Sequence, residues 1–398
     1  MILLLLRDRE DVIYVTANYR LNVFGFLASD ALRSESSDGS VGNYGFKDQR
    51  LAMQWVRNNI KSFGGNPNLL TIQGESAGAG SVSGHLVSPA SKGLFDRAIM
   101  ESGPIAIWIA QPFKVSVVKY NALVKNAECS KTQFLRIGED ATLACLRNMT
   151  TDQLMSAAHG LPSGLVQWSP VIDGVEFPDF PEKLAAAGKI HNVPVLLGSN
   201  RDEGTLFTHA PHDLNASNYK GYLEQRFGKD LGDTVYKQYP LANYESPWWA
   251  VSHVIGDAAM TCPARRTSQW LTGRQNADNV YEYFFQHELE VIKWFVPYKG
   301  VCHASELIFV FDLKLGLWTD DEKELALKFV RYWTRFAKYG DPNGGDDLQW
   351  PVYSNSSDTL LVLDTPKLSH ESNLKEELCD FWDTQTVPWS IIWGYDDE

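Results

Sequence analysis

The stretch Gly74-Glu75-Ser76-Ala77-Gly78 follows the apolar run Leu69 to Gln73 and leads into a series of small residues. A hydroxyl set between glycines in this way is a candidate nucleophile. Glycines at minus two and plus two keep Cβ atoms away from a strand and a helix that meet at a sharp turn, and the serine at the apex is held over the end of a sheet. As a bare pattern it is weak evidence: ordinary glycine and serine frequencies put it in roughly one chain of this length in seven. The hydroxyl also needs a base, and an imidazole serves best when a carboxylate holds its tautomer. Of nine histidines, His303 lies in the stretch Gly300 to Leu307, after the aromatic segment Trp294 to Tyr298 and before the apolar run Ile308 to Phe311. A loop between sheet elements can carry such a base, although a loop histidine taken singly is more often a surface or capping residue. For the carboxylate, Asp202 and Glu203 both follow the apolar run Val193 to Gly198. Local sequence does not rank the two.

The elements that must position these groups alternate along the chain. Strands are expected at Val12 to Ala17, Leu70 to Gln73, Ala98 to Met100, Val193 to Gly198 and Val280 to Phe285, with helices at Lys47 to Phe63, from Ala77, and at Asp321 to Lys338. Strands separated by helices predict an α/β fold, a mostly parallel sheet covered on both faces. In such sheets reactive groups gather at the carboxyl ends of the strands. Ser76, Asp202 and Glu203 all stand there. The breaks at Gly64 to Asn68 and Gly340 to Gly345 read as loops inside one domain, and the 398 residues are expected to form a single unit.

A net charge of −13 and a pI near 5.2 point away from nucleic acid and from anionic membranes as partners. No apolar run approaches the ~20 residues needed to span a bilayer. No metal-ligand spacing and no glycine-rich phosphate loop occur, so neither a metal nor a cofactor is expected. Five apolar residues after Met1 are too few for a secretion signal. Asn148-Met149-Thr150, Asn215-Ala216-Ser217 and Asn355-Ser356-Ser357 fit the glycosylation acceptor pattern.

The segments Ala17 to Asp30, Gly42 to Pro67, Gly74 to Ser83, Leu94 to Gly103, Gly198 to Phe207 and Gly300 to Phe311 together resemble the type-B carboxylesterases, the α/β-hydrolase family that includes cholinesterases and fungal lipases. The similarity runs from about Val12 to Trp382. It implies Ser76 as nucleophile, Glu203 rather than Asp202 as acid, and His303 as base, with the backbone N–H of Ala77 in the oxyanion hole. The implied reaction is hydrolysis of a small ester through an acyl-enzyme. The family's disulfides imply the pairs Cys129–Cys145 and Cys262–Cys379, which leaves Cys302 as a packed, inert thiol. Disulfides and acceptor sequons together imply a secretory destination, and a cytoplasmic one if Met1 is the true start. Trp108 is a candidate wall of the acyl pocket and equally an ordinary core residue. Ala304 departs from the glycine usual after the histidine, and its methyl is expected to tighten the site.

Two other functions fit the same resemblance. One is a lipase acting on long-chain acyl or steryl esters; the other is a non-catalytic adhesion or binding protein, which usually lacks a member of the triad. Cholinesterase activity in particular is not supported, because the region of the choline-stacking tryptophan has no counterpart here. The family's glycine-rich loop, which brings two further oxyanion donors, would precede the stretch Asp11 to Arg20, and nothing like it lies between Met1 and Asp11. The expectation is an N-terminally truncated esterase with an incomplete oxyanion hole, an unpaired sheet edge, poor solubility and little activity. The oligomeric state is left open.

Overall fold

A computed structural model of the chain describes residues 12–129, 141–161, 168–274, 277–290, 299–314 and 319–387. Residues 1–11 and the aromatic segment 294–298 lie outside these. Six strands form the main sheet: β1 (Thr71–Glu75), β2 (Arg97–Glu101), β3 (Val195–Asn200), β4 (Val280–Phe285), β5 (Thr359–Leu363) and β6 (Ser369–Ser372). They lie side by side in chain order; the first five are parallel and β6 is antiparallel. β3 and β4 are buried along their whole length, which is why Val195 to Leu197 and most of β4 read as apolar or aromatic runs rather than alternating ones, with Glu282 the one charged residue in β4.

Alternate residues serve two different layers. Ala98 and Met100 of β2 and Val195 and Leu197 of β3 face helices α1 (Tyr44–Asn59), α2 (Ala77–Val87) and α3 (Cys262–Thr272), meeting Phe46, Met53, Val82, Leu86 and Ala264. Ile99, Leu196, Tyr281 and Tyr283 face the opposite layer, built on α4 (Asp320–Tyr339) with Phe329, Trp333 and Phe336. The period-two alternation of the strands thus meets the 3.6-residue stripe of α4. Thr319 and Glu322 close a capping box at its start, and Gly340, with φ 72°, ends it in the left-handed conformation. The expected helix Asp321 to Lys338 is off by one residue at each end.

One expected strand is absent. Val12 to Ala17 has no ladder partner among the described residues and takes no regular structure. Residues of this segment and of β1 both line an apolar cleft of about 500 Å³ that also reaches Trp333 and Phe311. The outer edge of β1 is unpaired among the described residues, and Ile13, Val15, Leu51, Trp55, Phe63 and Leu69 are exposed nearby. An open edge beside apolar surface is the combination that favours association.

The two disulfides have the implied pairing, Cys129–Cys145 and Cys262–Cys379, and Cys302 is free. Burial pushes the Cys302 thiol above its ordinary range, and its sulfur rests 3.3 Å from Ser305 Oγ. Asn148, Asn215 and Asn355 are all on the surface. Among the described residues no helix is long and apolar enough to cross a membrane.

Candidate active site

The register of the sheet sets the ends of β1 and β2 side by side, Glu75 paired with Glu101, and Glu101 beside Gly198 of β3. Directly after β1, Ser76 has φ 56° and ψ −123°. A non-glycine residue there is strained by about 1–3 kcal/mol and persists only where its surroundings hold it. Its own N–H donates to Glu101 O (2.9 Å), and its carbonyl accepts the Gly80 N–H (2.8 Å). A Cβ on Gly74 would come within 2.2 Å of the Gly78 backbone, and one on Gly103 within 2.5 Å of Ser76 O. Only glycine fits either place. A Cβ on Gly78, by contrast, would meet open space, so the plus-two position does not carry the steric demand expected of it. Gly103 carries it instead. Ala77 opens α2 and is exposed; as the first helical residue its N–H has no acceptor within the helix.

His303 comes to this turn beside Glu75, and its Nε2 has no hydrogen-bond partner among the described residues. His303 Nδ1 and Glu203 Oε2 are 2.6 Å apart, both side chains are buried, and Glu203 Oε1 accepts the Asn200 N–H at 2.7 Å. With the proton on Nδ1, Nε2 is left as the lone-pair nitrogen. Asp202 makes no contact with the ring; its carboxylate turns to the backbone of Val301. Of the two acids that local sequence could not rank, Glu203 is the one at the imidazole. The Phe207 ring stands edge-on to His303 with centroids 4.9 Å apart.

The His303 loop differs from expectation in one respect. It runs into a short helix, Leu307–Val310, and not into a sheet element. Ala304 has φ 69°, a left-handed conformation that costs a side-chain-bearing residue about 1–2 kcal/mol. A methyl there carries a backbone strain that a glycine would not. Trp108 is buried, its indole N–H donates to Ala259 O at 2.9 Å, and its ring covers Gly80 of α2.

Three carboxyl groups near the pair escaped the sequence reading. Glu75 Oε1 lies 3.2 Å from His303 Nε2. Glu306, fully buried, receives Asn200 Nδ2 and the Ser102 hydroxyl (3.3 Å). Glu101, also fully buried, receives Gln73 Nε2 (2.7 Å) and Trp333 Nε1 (2.9 Å). Burial drives all three toward their neutral forms: Glu75 and Glu101 are raised to about 7, and Glu306 lies well above the ordinary carboxylate range, helped by its acidic neighbours. Burial alone would lower His303. The Glu203 charge and hydrogen bond outweigh it, with Glu75 and Glu306 adding to them, and raise the imidazole to about 9. The signal available in sequence was that Glu75 and Glu101 end two β runs, but their facing each other depends on strand register.

The model of the carboxylesterase family matches residues 4–382 of the chain. The chain is 34% identical over 399 residues to the cholinesterase of Mus musculus, covering 94% of this chain and 64% of that protein. It is 34% identical over 400 residues to the acetylcholinesterase of Bungarus fasciatus, with the same coverage. For the acetylcholinesterase of Electrophorus electricus the figures are 33% over 439 residues, 95% and 67%. The chain thus spans less than two thirds of the first two of these relatives.

Proposed function

The chain belongs to the carboxylesterase family, and from that premise we propose that it is a serine hydrolase of carboxylic esters, built as one domain. The observation that carries the proposal is the strained Ser76 elbow at the carboxyl end of β1, with the buried Glu203–His303 pair just past the carboxyl end of β3, two strands across. His303 Nε2 takes the Ser76 proton as Oγ attacks the ester carbonyl, and Glu203 holds the ring and stabilises the imidazolium. The Ala77 N–H donates to the developing oxyanion. The imidazolium then protonates the departing alcohol, and water repeats the sequence to free the acid. Two disulfides and three exposed acceptor sequons support a secretory destination.

Rapid mixing with p-nitrophenyl acetate, butyrate and palmitate tests this. The expected result is a burst of one p-nitrophenol per site followed by slower turnover, with the short esters favoured. A linear trace without a burst, under conditions where Ser76→Ala is equally active, contradicts the acyl-enzyme. Preference for palmitate assigns the chain to the lipases instead.

The pH profile follows from the charges around the ring. The neutral imidazole is the active base, so kcat/KM rises with pH as His303 loses its proton. Glu75→Gln removes a carboxylate that favours the imidazolium, and the His303 pKa must fall. The acid limb of the variant's profile is therefore expected at lower pH than the parent's. An acid limb that stays in place, or moves up, shows that Glu75 does not act on the base.

A further inference from the structure

Asp202, the acid that does not reach the imidazole, lies under the loop that carries it. Its N–H donates to Val301 O (3.0 Å), and its Oδ2 accepts the Val301 N–H (2.8 Å). One residue thus binds both backbone polar groups of Val301, two positions before His303. The fit is close: Gly300 has φ 54°, and a Cβ there would lie 2.3 Å from Asp202 Oδ2. Asp202 is itself fixed, buried, with Arg201 Nε 3.0 Å from Oδ2 and His253 Nε2 3.8 Å from Oδ1. Arg201 also donates to Gln286 O (3.3 Å), at the end of β4. The residues around Asp202 continue the clamp, Asn200 Nδ2 on Cys302 O (3.0 Å) and Thr205 Oγ1 on Lys299 O (2.9 Å).

We propose that Asp202 is a positioning residue for the base. By fixing the backbone at Gly300 and Val301 it sets where the His303 ring stands, with Glu203 at Nδ1 and Glu75 beside Nε2. The two adjacent acids then hold one histidine from two ends: Glu203 grips the ring, and Asp202 grips the chain that bears it. The proposal rests on His303 being the base. What the position requires is an acceptor for the Val301 N–H, held in a buried place. A negative charge is not required, so asparagine should serve and alanine should not.

The test uses Asp202→Ala and Asp202→Asn in the full chain with two readouts. One is kcat and KM on a short p-nitrophenyl ester. The other is the far-downfield imidazole N–H proton resonance expected of a Glu203–His303 hydrogen bond, assigned by its loss in His303→Ala. Asp202→Ala is expected to lower kcat about 10- to 100-fold with KM little changed, as misplacement of a catalytic group does, and to broaden or abolish the resonance. Asp202→Asn is expected to restore most of kcat and the resonance. Should Asp202→Ala not fold, Asp202→Ser, whose hydroxyl is too short to reach the Val301 N–H, takes its place with the same expected split. Parent-like kcat and resonance in the alanine variant overturn the proposal, as does an asparagine variant as damaged as alanine. The resonance reports the Glu203–His303 bond whether or not esters are hydrolysed. A chain without esterase activity would therefore sink the functional reading, while the resonance still decides the role of Asp202.

Discussion

Ser76→Ala is expected to remove nearly all of the parent chain's turnover of a short p-nitrophenyl ester, a loss of more than about 10-fold, and His303→Ala nearly as much. In the proposed mechanism the hydroxyl and the imidazole perform a single step: without the base the serine stays a neutral alcohol, and without the serine the base has nothing to activate. The double variant should therefore be hardly worse than either single one, because members of one catalytic unit fail together. Both substitutions should leave the fold in place. The Ser76 hydroxyl accepts no capping bond from α2, and alanine at 76 keeps the backbone contacts to Glu101 and Gly80. Steady-state rates on protein checked by circular dichroism decide the matter. A Ser76→Ala chain that keeps more than about a tenth of the parent rate removes Ser76 from the mechanism.

The second large effect is on stability. The Cys262–Cys379 bond joins α3 to the helix Glu376–Asp383 across 117 residues, and both cysteines are buried in a cluster with Trp382 and Tyr239. Replacing both by serine frees that loop in the unfolded chain, a loss of about 4–5 kcal/mol on the loop-entropy account. Whole domains are stable by only ~5–15 kcal/mol, so the variant should unfold at a much lower urea concentration. The Trp382 indole, which donates to Tyr239 Oη at 2.7 Å, should become solvent-exposed early in that transition. Removing Cys129–Cys145, with a separation of 16 residues, should cost less, about 3 kcal/mol. Equal urea midpoints for the two variants, or a smaller loss at Cys262–Cys379, contradict the loop-entropy account.

What could be read from the sequence divides along the range of the interactions involved. The Ser76 elbow was legible because its geometry is set within a few residues, by Gly74 and by the switch from β-branched to small side chains. Helix α4 was legible for the same reason: its stripe, its capping box and Gly340 are all local. Val12 to Ala17 has the composition of a strand, but a strand exists only where a neighbour's backbone lies in reach, and none pairs with it among the described residues. Asp202 and Glu203 are adjacent on one turn, and nothing local says which carboxylate meets His303; a loop about a hundred residues downstream settles it. Glu75, Glu101 and Glu306 come together through register and packing, so their mutual pKa effects had no trace in the one-dimensional pattern. The glycine that makes room for Ser76 on its far side, Gly103, lies just after β2 and could not be recognised from the motif.

The central claim is that Ser76 is a nucleophile activated by His303. Its most direct test is to treat the folded chain with a fluorophosphonate, in which an activated serine oxygen displaces fluoride from phosphorus and stays attached, and to map the adduct by peptide mass spectrometry. The predicted result is one covalent adduct, on Ser76, forming at least about 10²-fold more slowly in His303→Ala, since general-base help is worth that much or more. A folded chain that takes no adduct, an adduct on another residue, or labelling at the parent rate without His303 contradicts it.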